Sequence, residues 1–416
     1  FDNLASHVLG FVGYKDDKLV GRYGLELYYE QILKREASDS KINSFAELFF
    51  DLKKLIAGEI TTGDVVLTIE PNVQSMLEKN LEKTREKYKA QTVGGMIISP
   101  KTGEIIAMSA KPDFNPNQYA KTKDFSIFMN PLVESVIEMG SIMKPLTLAA
   151  SMDNGSITAS TTYTDKGFLV FGPSRIENYD GKARGAADMQ KVLNESLNTG
   201  AVFAMQKMGK DKFRDYVLGY GFGEKTGIEL PQEGKNNISN IIGSNRDIEY
   251  ATASFGQGIA VTPIAMVTAL ASLANGGLIM KPHIVKEESV KGLKNRMVLP
   301  QEVRRVLKKE TAEEMTRMLV SVVDNALTGG VHKMEHYTVA AKTGTAQLVE
   351  GGKKSYSEGE FIHTFFGYAP AFDAKFLTFL FIVKPQGAQY ASNTLTEPFM
   401  DITKFLLNYY EIPPDR

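Results

Sequence analysis

Apolar positions recur at helical spacing near the start of the chain. Leu25, Leu27, Tyr28, Ile32 and Leu33 predict a helix from Tyr23 to Lys34, and Phe45 to Leu55 reads as a second. A strand pattern spans Asp64 to Ile69. A charged helix follows from Val73 to Lys89, with Glu78, Lys79, Glu82, Lys83, Arg85, Glu86 and Lys87 as its solvated face. Val93 to Ile98 and Glu104 to Met108 flank Ser99-Pro100-Lys101-Thr102-Gly103 and predict a β-hairpin. Helical patterns then dominate: Ser141 to Asp153, Asp188 to Leu193, Ala201 to Met208, Pro263 to Asn275 and Thr311 to Ala326. Strand patterns return at Tyr337 to Thr345, His363 to Ala369 and Lys375 to Lys384. A last helix runs from Thr396 to Tyr409, with Thr396 as its expected cap and Pro398 in its first turn. Early and late strands can form one antiparallel sheet with helices packed beside it.

The 416 residues are 43% hydrophobic and 23% charged, an ordinary globular composition with room for two or three domains. Formal net charge is −1, so no basic excess points to nucleic acid. The longest apolar run, Phe376 to Val383, is interrupted by Thr378 and is far too short to span a bilayer. The absence of cysteine excludes disulfides, thiolate metal sites and cysteine nucleophiles. His332-Lys333-Met334-Glu335-His336 spells a zinc-peptidase motif, but that motif needs a helix. Gly329-Gly330 before it and a strand after it leave little room for one, so it reads as a polar loop. No metal site is expected.

The remaining nucleophiles are Ser, Thr and Lys. Ser-x-x-Lys places a serine and a lysine on one helix face. Ser38-Asp39-Ser40-Lys41 lies in a polar stretch. Ser141-Ile142-Met143-Lys144 lies between Gly140 and Pro145, ahead of the apolar run Leu146 to Ala150, where desolvation favours a neutral lysine able to act as base. Ser196-Leu197-Asn198 is the single Ser-x-Asn; by itself it reads as helix capping. Lys-Thr-Gly occurs at Lys101, Lys225 and Lys342, and only Lys342-Thr343-Gly344-Thr345 continues an apolar strand, Tyr337 to Ala341. A lysine there presents a cation to a carboxylate. A glycine inside a strand marks close approach of ligand or backbone.

In this order and at separations of 55 and 146 residues, the three elements are those of active-site serine penicillin-recognising enzymes. The chain resembles class B penicillin-binding proteins, the monofunctional peptidoglycan D,D-transpeptidases. The likeness extends to Gly63-Asp64-Val65-Val66-Leu67-Thr68-Ile69 with Gln74 and to Lys111-Pro112-Asp113-Phe114-Asn115-Pro116-Asn117. It also covers Ala253-Ser254-Phe255-Gly256-Gln257-Gly258-Ile259 with Val261-Thr262-Pro263, His363 to Pro370, and Gly21-Arg22-Tyr23-Gly24-Leu25-Glu26. Ile142 and Met143 depart from the Thr-Phe usual between serine and lysine.

The resemblance implies an α+β transpeptidase fold: an antiparallel sheet flanked by helices, an all-helical subdomain, and a small N-terminal pedestal. The pedestal is expected at 1–62, truncated upstream, and the catalytic domain at 63–416. Ser141 is the implied nucleophile, Lys144 its base and Ser196 a proton relay. Asn198 is expected to hold the stem peptide, and Lys342, Thr343, Gly344 and Thr345 to bind the terminal carboxylate and peptide backbone. No cofactor is implied. The expected partners are peptidoglycan stem peptides, β-lactam antibiotics and a membrane glycosyltransferase of the cell-wall machinery. The expected location is the extracytoplasmic face of the bacterial inner membrane, with an anchor helix upstream of Phe1. A β-lactamase or D,D-carboxypeptidase of the same superfamily, or a β-lactam sensor, is the alternative. Fast β-lactam turnover marks the first two; the pedestal segment argues against the sensor.

Overall fold

Five strands from the two ends of the sequence gather into one antiparallel sheet. The computed structural model describes residues 2–33, 62–290, 294–349 and 356–416. The strands are β1 (Thr92–Ile98), β2 (Ile105–Lys111), β3 (Ala340–Val349), β4 (Tyr356–Ala369) and β5 (Phe376–Val383), in spatial order β3-β4-β5-β1-β2. The edges are therefore β3 and β2. In the β3–β4 register Lys342 lies opposite Phe366 and Thr345 opposite His363.

The helices that matter here are α1 (Pro71–Tyr88), α2 (Lys144–Asp153), α3 (Met189–Asn194), α4 (Asn198–Met208), α5 (Pro263–Ala274), α6 (Lys309–Ser321), α7 (Ala391–Thr394) and α8 (Thr396–Tyr409). They cover both sheet faces, which is why β5 reads as a near-continuous apolar run. Its alternate residues part between two cores. Phe376, Leu380 and Ile382 pack with Leu77 and Leu81 of α1 and Phe399 and Leu406 of α8. Leu377, Phe379 and Phe381 join the larger core of α2, α4, α5 and α6. Each fully buried side chain of this size contributes about 1.5–3 kcal/mol.

Several expectations are refined. The helix expected from Tyr23 to Lys34 is two short ones, Gly24–Tyr28 and Glu30–Leu33. Phe45 to Leu55 and Ser38 to Lys41 lie outside the described residues. The block between the first two motifs is not all helical. It carries two small ladders, Thr162–Asp165 with Gly185–Asp188 and Phe168–Phe171 with Ser174–Glu177. Four-residue strands with few buried side chains leave too little periodicity to read. The helix expected to run unbroken to Ala326 leaves α-geometry at Val322 and continues as a π-turn, Val322–Ala326. Thr396 does not cap α8; it is the first helical residue, and its hydroxyl donates to Ser392 O at 2.9 Å. Residues 331–337 form turns and bends, not the helix that a zinc-peptidase motif requires.

Candidate active site

The turn bearing Ser141 is clamped by backbone contacts on both sides. Gly140–Met143 is a 3-10 turn leading straight into α2, with Pro145 in the first helical turn, where its missing N–H costs nothing. Gly140 sits at φ +61°, and a Cβ there would lie 2.6 Å from Thr345 O. A Cβ on Gly344 would lie 2.7 Å from Met139 O and 3.1 Å from Ile142 Cγ2. Thr364 Oγ1 donates to Met139 O at 2.9 Å, and Gly140 N to Gly256 O at 3.0 Å. Edge strand β3 therefore presses directly on the serine turn. The glycine in Lys-Thr-Gly serves this approach of two backbones, and Gly344 is not among the cleft-lining residues. The Thr345 carbonyl faces Gly140. In an extended strand the N–H of a residue points to the same edge as its C=O, so the Thr345 N–H faces the serine side too.

One turn on from Ser141, Lys144 is fully buried, as is nearly all of Lys342 on β3. Both converge on Ser196. Lys144 Nζ donates to Ser196 O at 2.5 Å and lies 3.1 Å from Ser196 Oγ. Lys342 Nζ lies 3.2 Å from the same Oγ and donates to Thr343 O at 3.0 Å. Burial, and then the charge of Lys342, hold the Lys144 amine well below the ordinary lysine range. Burial alone brings Lys342 down to about 8.

Ser196 sits between α3 and α4 at φ +53°, a left-handed conformation that costs a serine on the order of 1–3 kcal/mol. The capping reading of Ser196-Leu197-Asn198 does not hold. The α4 N-terminus has no side-chain cap; the Ser196 hydroxyl faces the two lysines, and Asn198 Nδ2 donates to Glu177 O at 2.7 Å. Ser141, Ser196, Asn198, Lys342, Thr343 and Thr345 all line one cleft of about 640 Å³. The Thr345 hydroxyl accepts from Ala391 N at 3.2 Å.

Residues not foreseen complete the walls. They include Glu177 and Tyr179 beside the second motif, Gln257, Leu327 and Thr328 after the π-turn, and Tyr390 ahead of α7. Only Gln257 had a sequence signal, inside Gly256-Gln257-Gly258. The carboxylates of Glu177 and Glu195 are engaged: Arg175 Nε donates to Glu177 at 2.6 Å, and Arg184 Nε to Glu195 at 2.8 Å.

Residues 93–404 match the family model described as the penicillin binding protein transpeptidase domain. The chain belongs to this family. Among similar proteins, stage V sporulation protein D of Bacillus subtilis is 34% identical over 96% of this chain and 62% of its own length. The peptidoglycan D,D-transpeptidase MrdA of Acinetobacter baumannii is 27% identical over 89% of this chain and 60% of its own. The chain thus spans less than two thirds of the length of these two relatives. The transpeptidase fold recurs in penicillin-binding protein 3 of Mycobacterium tuberculosis, solved in complex with aztreonam: TM-score 0.85, 23% identity, covering 100% of this chain and 90% of that one. Among the described residues no helix is long and apolar enough to cross a membrane.

Proposed function

We propose that this chain is the catalytic part of a peptidoglycan D,D-transpeptidase that crosslinks stem peptides through a Ser141 acyl-enzyme. The observation that carries the reading is the pair of buried lysine amines facing one hydroxyl, Ser196 Oγ, at 3.1 and 3.2 Å beside the serine turn. Of the two, Lys144 is held the further below the ordinary lysine range, by burial and then by the charge of Lys342, which favours the neutral amine that can accept a proton.

Ser141 Oγ attacks the carbonyl of the penultimate D-alanine and passes its proton to neutral Lys144. The tetrahedral oxyanion lies between the Ser141 and Thr345 backbone N–H groups, where removing one such donor typically costs about 10²–10³ in rate. The C–N bond then breaks, and the departing D-alanine nitrogen takes a proton relayed from Lys144 through Ser196. Asn198 holds the stem-peptide amide. Lys342 and the hydroxyls of Thr343 and Thr345 bind the terminal carboxylate. Edge strand β3, around Gly344, accepts the substrate backbone as an added strand. The amine of a neighbouring stem attacks the acyl-enzyme carbonyl, the bond from that carbon to Ser141 Oγ breaks as the new amide forms, and the proton lost by the amine passes through Lys144 to Ser141 Oγ.

A β-lactam acylates the same serine, but its ring opens without a departing group. The two cleft carboxylates nearest the second motif are bound by arginines, which favours a long-lived adduct over hydrolysis. By the same reading, residues 1–62 form a pedestal and 63–416 the catalytic domain, the chain works at the extracytoplasmic face of the bacterial inner membrane, and a membrane glycosyltransferase is its partner.

Mass spectrometry after incubation with a penicillin tests the reading. One adduct per chain at Ser141, persisting for many minutes and absent in Ser141→Ala, is expected. Labelling that survives that substitution overturns the nucleophile; rapid hydrolysis points instead to a β-lactamase or carboxypeptidase.

A further inference from the structure

One buried histidine has no part in this mechanism, yet both its ring nitrogens are engaged at the cleft. His363 lies on β4 opposite Thr345 and is fully buried. Its Nε2 lies 3.1 Å from Gln389 O and its Nδ1 2.9 Å from Thr394 Oγ1. A carbonyl only accepts, so Nε2 carries the proton; Nδ1 then needs a donor, and the Thr394 hydroxyl supplies it at 2.9 Å in preference to its longer contact with Ala391 O at 3.2 Å. Burial lowers the ring to about 4, which keeps that neutral tautomer at working pH. The two bonds grip the two ends of one corner, 389–394. That corner supplies Gln389, Tyr390, Ala391 and Ser392 to the cleft wall and ends in the single turn of α7.

The corner touches the third motif at one point. Ala391 N, a first-turn donor of α7 without a helical partner, donates to Thr345 Oγ1 at 3.2 Å. A threonine hydroxyl has one proton and two lone pairs, whereas an ionised carboxylate only accepts. Thr345 therefore binds a carboxylate only when its O–H points into the cleft. An N–H fixed on its lone-pair side favours that rotamer.

We propose that His363 is a positioning residue for carboxylate recognition: by holding the 389–394 corner, it keeps the Ala391 N–H on the Thr345 hydroxyl and turns the Thr345 proton toward the substrate carboxylate. This rests on the reading of Thr345 as a carboxylate ligand. A purely structural role is met equally well by any side chain that fills the space. The proposed role shows only with ligands that carry the charge.

The test compares acylation rate constants for a penicillin and for its uncharged methyl ester in the parent, His363→Leu, Thr345→Val and the double variant. His363→Leu is expected to slow the penicillin by about tenfold or more, the size of a hydrogen bond to a charged group, and the ester by less than about twofold. Thr345→Val is expected to do the same. The double variant is expected to lose no more selectivity than Thr345→Val alone, because both act through one hydroxyl. If His363→Leu does not fold, Thr394→Val removes the Nδ1 partner while preserving the packing, and the same ratio is read. Equal slowing of both compounds, or selectivity losses that add in the double variant, overturns the proposal and leaves Thr345 in place. A penicillin-to-ester ratio unchanged by Thr345→Val overturns the reading of Thr345 and the proposal with it.

Discussion

Each edge of the five-stranded sheet carries a buried lysine, and the two are put to opposite uses. On β2, Lys111 lies 3.7 Å from Glu78 and closer still to Asp113. Glu78 also accepts from Ala5 N at 2.8 Å and from Gln74 Nε2 at 2.8 Å, and Asp113 accepts from Asn3 Nδ2 at 3.1 Å. This network fastens the first residues of the chain to α1 and the sheet. On β3, Lys342 faces a hydroxyl and a carbonyl instead, and Lys144 joins it on the same hydroxyl. Burial alone is therefore not the mark of function. A buried cation against carboxylates of its own chain is a fastener; two buried amines against one serine hydroxyl, with no carboxylate to neutralise them, leave one free to act as a base and the other free to meet a charge from outside.

The strongest way to break this contrast is to remove one lysine from each edge and read activity and stability separately. Lys144→Met keeps the volume and deletes the base. Acylation by a penicillin is expected to fall by about 10²–10⁴, while the thermal midpoint shifts by only a few degrees. A loss under about tenfold means that Lys144 is not the base. Lys111→Met is the mirror case. It leaves buried Glu78 and half-buried Asp113 without their cation; breaking a buried pair typically costs about 3–5 kcal/mol. Denaturant unfolding measures this directly, and the acylation rate per folded molecule is expected to stay within about twofold of the parent. A fall in acylation with stability intact would place Lys111 in the chemistry and erase the distinction.

The contrast was only half legible in the sequence, because local pattern and long-range partnership leave different traces. Lys-Thr-Gly appears three times, and the strand context alone separated them. Lys101 in the hairpin turn pairs with Asp373 at the surface. At the second copy, Thr226 N and Gly227 N both donate to the Glu233 carboxylate. Only Lys342 runs out of a buried strand onto Ser196. The bond from Lys144 to Ser196 spans 52 residues and the grip of His363 on the 389–394 corner 26 to 31. A polar residue beside an apolar run gives no hint of such a partner. The π-turn after α6 was hidden for the same reason: Asp324 within it is held by Arg416 from 92 positions away.

A finer cut separates the two amines at the β3 edge. Lys342→Ala removes the cation assigned to the substrate carboxylate, a charge-assisted contact of about 1.5–3 kcal/mol, or one to two decades in rate. Acylation by a penicillin is expected to fall by that much and acylation by its methyl ester far less. Equal losses for both mean that Lys342 acts on Ser196 rather than on the carboxylate.

The smallest expected effect is also the most specific, because it uses pH to switch off Lys342 without a mutation. The proposed mechanism sets two opposite requirements at Ser196: Lys144 is to work neutral, and Lys342 charged. Burial and the neighbouring cation hold Lys144 down, so acylation rises with pH as its neutral form fills. Lys342 titrates near 8, so below that pH it is charged and binds a carboxylate, and above it that contact is lost. The rate constant at low ligand concentration reports the free enzyme. For a penicillin it is expected to peak and then fall, by about twofold at pH 8 and several-fold by pH 9, towards the floor set by Lys342→Ala. The methyl ester needs no cation, so its profile is expected to rise and level off with no descending limb. Lys342→Ala should remove the descending limb for the penicillin as well. Superimposable profiles for the two compounds would mean that the charge on Lys342 is not read by the ligand, and that both lysines at this edge serve the proton path alone.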